Sequence, residues 1–420
     1  MLRTALLFSG QGSQFIGMCK EIHQQYDVVK HTFEEASEAL GFDLYKLCTE
    51  GDSKELTKTE NAQPAVLTSS IAAYKVYMQE IGINPVYCAG HSLGEISALS
   101  CAGAIKFYDA VKLVHSRGKF MQEAVEEGIG AMSAIIGNDI ELLEWTQREC
   151  KRYSKKQDIA VVSNYNSKNQ LVISGHKGAI EQVGDALKAR GAKVIPLKVS
   201  APFHCCLMQP AAERVKDLLE GIEIKDLLIP VISNVDAKPY INKADVKGNI
   251  YRQMTAPVEW VESIIYIRTQ GINLAFELGP RAVLKEMIKY ITDKIAVISI
   301  TDGETASIAK SIIEERAEKE KEEIKQAKGK LIMKSMAAAV STRNLNYDKE
   351  QYTEGVIKPY TVIKQIWDRI QEEKTEPSMT EMEQVLKLLK LIFTIKKVSL
   401  EEQNERLKEI LCDTGLHKLN

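Results

Sequence analysis

The stretch Gly90-His91-Ser92-Leu93-Gly94-Glu95 constrains the fold more than any other part of the chain. Tyr87-Cys88-Ala89 in front of it form a short strand-like segment. Ile96-Ser97-Ala98-Leu99-Ser100-Cys101-Ala102 behind it read as a tightly packed helix. A sharp strand-to-helix turn that lifts Ser92 into a strained position needs small residues where strand and helix approach, and Gly90 and Gly94 stand at those places. This is the G-x-S-x-G pattern of a nucleophile elbow. Backbone N–H groups at the start of the following helix point toward the serine, so the N–H of Leu93 helps to hold the negative oxygen of a tetrahedral intermediate. The plainer alternative is a glycine-rich turn with an incidental serine, but the strand-then-helix context supports the elbow.

The chain around this turn is long enough, at 420 residues with 45% hydrophobic content, to bury a large core in two or three domains. Lys plus Arg (55) nearly balances Asp plus Glu (57), and the formal net charge of -2 gives no global reason to bind nucleic acid or membranes. Acidic substrates must therefore be caught by local charges. The apolar run after Met1 ends at Ser9-Gly10-Gln11-Gly12, too early for a signal peptide, and no stretch is long and apolar enough to span a bilayer. The 8 cysteines are scattered without C-x-x-C or His/Cys metal spacing, which predicts no metal and reduced thiols in a cytoplasmic protein. Cys205-Cys206 follow His204 directly, but neighbouring cysteines form no unstrained disulfide.

In chain order, Thr4 to Phe8 is a buried strand opening into Ser9-Gly10-Gln11-Gly12-Ser13-Gln14. A dinucleotide loop would need glycine at position 15, which is Phe15. Helix-spaced apolar positions run from Glu21 to Leu40 and from Pro64 to Ile81, and Gln63 precedes Pro64 at a helix start, where it reads as a polar cap before an N1 proline. Phe107 to Val125 is an amphipathic helix. Arg117 lies on its buried stripe, where an unpaired guanidinium is costly and calls for a planar carboxylate, either a structural Asp/Glu or a substrate. Residues 128–199 read β-α-β-β-α-β, the order of a ferredoxin-like subdomain inserted in a larger one. His204 follows a strand and the proline-fixed turn at Pro202, and is the best general-base candidate among the 7 histidines. His91 is expected on the far side of the turn from Ser92. Val231 to Val235 and Leu274 to Leu278 are the remaining core strands, and the apolar run Ile295-Ala296-Val297-Ile298 ends the domain.

Several of these segments, taken together, resemble malonyl-CoA:acyl carrier protein transacylases: Gly10-Gln11-Gly12-Ser13-Gln14, Asn61-Ala62-Gln63-Pro64-Ala65, the elbow, Ser116-Arg117-Gly118, Ser200-Ala201-Pro202-Phe203-His204 and Glu277-Leu278-Gly279-Pro280, in that family's order. The resemblance covers about residues 1 to 300. It implies an α/β-hydrolase-like core with a parallel sheet, the inserted subdomain, and a ping-pong transfer of malonyl from malonyl-CoA through Ser92 to the phosphopantetheine thiol of an acyl carrier protein, in fatty-acid or polyketide biosynthesis. It assigns the Gln11 N–H as partner of Leu93 in the oxyanion hole and Arg117 as clamp on the malonyl carboxylate. Gln63 and Asn166 fall near the substrate. His204 is oriented by a backbone carbonyl near Gln253, so that Ser92 and His204 act as a dyad with no triad aspartate. A phenylalanine at the place of Phe203 accompanies malonyl over methylmalonyl choice in related acyltransferases. Coenzyme A enters as a thioester substrate and no cofactor is implied. The rival class is an acyl hydrolase of the same fold clearing acyl groups from carrier proteins.

The expected division is a large catalytic domain of residues 1–127 and 200–304, the small subdomain 128–199, a charged helical linker 305–347, and a C-terminal α-helical appendage 348–420. Thr380-x-x-Glu383 and Ser399-x-x-Glu402 read as capping boxes there. This appendage resembles the tail of some free-standing acyltransferases of polyketide synthases. It reads equally as a small bundle covering core surface and as a docking element for a synthase or carrier protein.

Overall fold

A computed structural model describes residues 3–138, 141–155 and 158–414. Among them run nine strands: β1 (Thr4–Phe8), β2 (Tyr87–Gly90), β3 (Gly130–Ile136), β4 (Ala160–Ser167), β5 (Gln170–His176), β6 (Lys193–Pro196), β7 (Val231–Ile232), β8 (Leu274–Leu278) and β9 (Ala296–Ile300). β1 and β8 are buried along their whole length, as strands covered by helices on both faces must be. They form the centre of a five-stranded parallel sheet in the order β7-β2-β1-β8-β9. The run at Ile295 to Ile298, expected to end the domain, does so as the edge strand β9, in register with β8 from Leu274↔Ala296 to Leu278↔Ile300. Of the segment Val231 to Val235 only the first two residues pair, because Ser233 to Ala237 turn back at once.

The insertion forms a second, antiparallel sheet in the order β4-β5-β3-β6, which is the ferredoxin-like arrangement. One face packs on the helices Leu142–Tyr153 and Lys177–Lys188 through Ile135, Val162, Leu171 and Ile173. β4 then breaks parity: Val162 pairs with Ile173, but Asn164, two residues on, pairs with Val172. This bulge turns Asn164 and Asn166 to the opposite face. Its freed backbone is used by the large subdomain, since Val258 N donates to Ser163 O at 2.9 Å and Tyr165 N donates to Val258 O at 3.0 Å.

The helical region between residues 20 and 40 is two helices, Lys20–Gln25 and Asp27–Leu40, separated by extended backbone at Tyr26. The helix expected from Pro64 begins at Thr59 and runs to Glu80, so Gln63 lies inside it and is no cap. Pro64 has no N–H for the Glu60 carbonyl one turn back. His115 Nδ1 donates to that carbonyl at 2.9 Å, while Gln122 Oε1 accepts from Thr59 N at 2.5 Å. The helix Phe107–Glu123 thus ties down the start of the Thr59 helix, with Gly118 pressed on Thr59 and Glu60.

Two compact units divide the chain, residues 1–311 and 312–420. The charged helical linker expected over 305–347 is helical, as a single helix from Gly303 to Ser341. Its later residues Leu331, Ile332 and Ala339 join the core of the second unit with Ile363, Ile370, Met382, Leu389, Phe393, Leu407 and Ile410. Lys396 Nζ, buried, donates to the Ala339 and Thr342 carbonyls at the end of that helix. The capping box lies at Ser378 and Glu381 rather than at Thr380 and Glu383, and at Ser399 one half of the expected box forms, with Glu402 N donating to Ser399 Oγ. Among the described residues no helix is long and apolar enough to cross a membrane. Because Ala306 and Ala309 are fully buried, a chain cut after Ser311 should give a monodisperse protein with one cooperative thermal transition, whereas a cut at 304 should lower its midpoint; aggregation of the longer product would show that residues 312–420 cover its core.

Candidate active site

The elbow is built by close contact. A Cβ on Gly90 would lie 1.9 Å from the Gly94 carbonyl, and one on Gly94 would lie 2.0 Å from Phe8 O in β1. Only glycine fits at both places, which explains their four-residue spacing. Ser92 sits between them at φ 52°, ψ −104°, a backbone state that a non-glycine residue holds only when its surroundings fix it. The fixing group is Asn234, whose side chain accepts from Ser92 N at 2.6 Å and donates to Gly90 O at 2.7 Å. The N–H of Leu93, which opens the helix Leu93–Cys101, is not used within the elbow, in contrast to those of Ser92, Gly94 and Glu95.

Ser92 Oγ lies 2.7 Å from His204 Nε2, and His204 Nδ1 lies 2.9 Å from Gln253 O. A carbonyl only accepts, so Nδ1 bears the ring hydrogen and Nε2 presents its lone pair to the serine. Burial, followed by the nearby Arg117 charge, pushes the His204 pKa down to about 3, against the pull of the Gln253 carbonyl. The ring is neutral, with the Nε2 lone pair facing the serine hydroxyl. His204 also has positive φ, 58°, so both members of the pair stand on constrained backbone.

Arg117 is 1% exposed. Its Nη1 donates to Gln63 Oε1 at 2.8 Å, its Nη2 to Gln253 Oε1 at 2.9 Å, and Nη2 is 3.4 Å from Ser92 Oγ. No described carboxylate pairs with it directly. Burial lowers its pKa to about 10, so it stays charged. The nearest carboxylate, Glu95, is one amide away: Gln253 Nε2 donates to Glu95 Oε2 at 2.6 Å and to Ser92 O at 3.0 Å. Asn234 N and the Tyr240 hydroxyl also donate to Glu95. Burial pushes the Glu95 carboxyl up to about 7, with these hydrogen bonds opposing.

A cavity of about 350 Å³ opens over Ser92 and His204, lined by Gln11, Leu93, Arg117, Asn166 and Phe203 among others. Gln11 Nε2 donates to Thr59 Oγ1 at 3.1 Å. Gln63 and Gln253 stand behind Arg117. His91 is not on the far side of the turn: it lines the cavity, with Nε2 2.8 Å from Asn166 Oδ1 and its ring edge-on to Trp260. Reading the sequence alone passed over Asn234, Tyr240 and Glu95. Only Glu95 left a signal there, as a carboxylate one turn after Ser92 in a helix otherwise apolar or small.

A serine on an elbow over a parallel sheet, faced by a neutral histidine, is the equipment of an enzyme that passes acyl groups through an ester. Residues 5–334 match the family model of the acyl transferase domain. A malonyl CoA-acyl carrier protein transacylase of Bacillus subtilis is 40% identical over 408 residues, covering 97% of this chain and 100% of that protein. One of Salmonella typhimurium is 45% identical over 310 residues, 74% of this chain and 99% of its own. Among solved structures, the malonyl CoA-acyl carrier protein transacylase of Coxiella burnetii is 40% identical with a TM-score of 0.71, over 74% of this chain and 97% of that one. A malonyl-transacylase in complex with a type II PKS acyl-carrier protein is 43% identical with a TM-score of 0.71, over 74% and 99%. The chain belongs to the malonyl CoA-acyl carrier protein transacylase family. These relatives are named for transfer, which sets the hydrolase reading aside.

The depressed His204 pKa has a consequence for stability. The unfolded chain protonates this histidine near the ordinary 6.5 and the folded one only near about 3, so its contribution is full above about 6.5 and is lost as pH falls toward about 3. Urea unfolding of wild type and His204→Gln across that window should show the difference in unfolding free energy moving against the wild type as pH falls. A difference that does not change with pH would mean His204 titrates normally.

Proposed function

We propose that this chain moves malonyl from malonyl-CoA to the phosphopantetheine thiol of an acyl carrier protein through a malonyl-Ser92 ester. His204 Nε2 takes the Ser92 proton as Oγ attacks the thioester carbonyl, and the tetrahedral oxyanion is held by the N–H groups of Gln11 and Leu93. Collapse breaks the carbon–sulfur bond, and the proton on Nε2 goes to the departing coenzyme A thiolate. The carrier thiol then gives its proton to Nε2 and attacks the ester carbonyl; collapse breaks the carbon–oxygen bond, and Nε2 returns the proton to Ser92 Oγ. Coenzyme A is a substrate in this scheme, and the chemistry asks for no further cofactor. Eight unpaired cysteines, most of them buried, support a cytoplasmic setting.

The observation that carries the reading is the state of Arg117. A buried guanidinium held by two amide oxygens and by no carboxylate, 3.4 Å from the nucleophile, keeps its charge for an acyl group that brings a carboxylate of its own. Malonyl does; acetyl does not. Truncating one partner of such a pair costs about 2–5 kcal/mol. Arg117→Ala should therefore lower malonyl transfer by about tens to thousands of fold while acetyl transfer changes little, and Ser92→Ala should end covalent labelling by malonyl-CoA, both read by mass spectrometry and competition assays. Equal losses for both acyl groups would make Arg117 a structural residue.

Phe203 is 8% exposed and lines the same cavity, where its ring fills space that a branched acyl group needs. Wild type should prefer malonyl-CoA to methylmalonyl-CoA, and Phe203→Ser should narrow the preference by about 1–3 kcal/mol, the scale of one methyl group in a pocket. An unchanged ratio in competition would place the selection elsewhere.

A further inference from the structure

The side-chain amide of Gln253 has two ends of nearly the same shape, so hydrogen bonding alone decides which of them faces Arg117. Its nitrogen turned to the guanidinium would set donor against donor. In the structure the oxygen faces Arg117 Nη2 and the nitrogen donates to Glu95 Oε2 and Ser92 O. Glu95 Oε2 already accepts from Asn234 N while Oε1 faces the Tyr240 hydroxyl, so Oε2 is an acceptor in either protonation state and takes the amide nitrogen rather than the oxygen. Glu95 is itself fixed by Asn234 N at 3.1 Å and by the Tyr240 hydroxyl, is fully buried, and does not line the cavity. Whatever it does for an acyl group it does through other residues.

We propose that Glu95 is a positioning residue for malonyl transfer, holding the Gln253 amide in the orientation that aims the Arg117 guanidinium. The inference rests on the reading of Arg117 as holder of the malonyl carboxylate. Coulomb's law alone gives the opposite sign, since taking an anion away from the neighbourhood of Arg117 strengthens its attraction for a carboxylate. Positioning and charge are thus separated by the direction of the effect.

The test uses the full chain with Glu95→Met, which keeps the length and removes both acceptor oxygens, and Glu95→Gln, which keeps one. kcat/KM is measured for malonyl-CoA and acetyl-CoA with one carrier protein. In Glu95→Met malonyl transfer should fall about ten- to hundred-fold, the scale of a misplaced substrate-holding group. Acetyl transfer should fall at least several-fold less, and Glu95→Gln should recover part of the loss. Equal losses for the two acyl groups, or malonyl transfer that is unchanged or improves, overturns the inference. Should Glu95→Met fail to fold, as judged by circular dichroism and a thermal melt, Glu95→Gln decides: a malonyl-to-acetyl ratio below that of wild type supports positioning, and a ratio at or above it overturns it. A wild type that takes acetyl as readily as malonyl defeats the reading of Arg117 first, and the role of Glu95 falls with it.

Discussion

Gln253 is the residue through which the parts of the site are fixed to one another. Its backbone carbonyl sets the His204 tautomer, its amide oxygen meets Arg117, and its amide nitrogen meets the Ser92 carbonyl and Glu95. A buried amide with its donors and acceptor all satisfied has one orientation, because every rotation sets like against like. Ser92, His204 and Arg117, which come from three separated stretches of chain, are thereby held in one frame. The helix Ala244–Gln253 that delivers it ends at this residue.

The second constraint is space. β1, the elbow and the helix after it are so close that two glycines are required, and the strain at Ser92 is maintained by Asn234 from the turn after β7. The five-stranded sheet is therefore more than a scaffold below the site. The register of β1 against β2, with Phe8 opposite Gly90, decides where the serine emerges. Arg117 is located differently, by the clamp of one helix on the start of another, where the carbonyl that Pro64 leaves open is taken up by His115.

What the sequence made legible was local. The elbow is written in adjacent residues, the β-α-β-β-α-β order in short alternating segments, and the burial of Arg117 in the period of a single helix. The cap reading of Gln63 failed because the partner that makes a proline tolerable inside that helix lies 55 residues from Glu60 in sequence, while its other reading, near the site, fits its hydrogen bond to Arg117. Asn234, Tyr240 and Glu95 escaped notice for the same reason: each acts through contacts that only the folded chain brings together, such as Asn234 with Ser92 across 142 residues. The edge strand β9 is as long as β1 and β8 but lacks their full burial, and the lysine and glutamate run, legible as helical, gave no sign of joining a second core because its apolar positions are sparse until Leu331. The alignment with the Bacillus subtilis relative, spanning 97% of the chain, takes in most of that second unit as well.

The bulge in β4 leaves one face of the antiparallel sheet looking into the cavity at alternate positions, Met132 and Ala134 on β3, Asn164 and Asn166 on β4, Gln170 and Val172 on β5. Ser92, His204, Arg117 and Gln253 all lie outside that sheet. Part of the cavity wall and the hydrogen-bonded group around Ser92 are consequently held on different pieces of the fold, joined by the His91 to Asn166 hydrogen bond and the backbone of Val258. Five of these six side chains can change the wall of the cavity without touching a hydrogen bond of Ser92, His204, Arg117 or Gln253, and the sixth, Asn166, reaches the elbow only through His91.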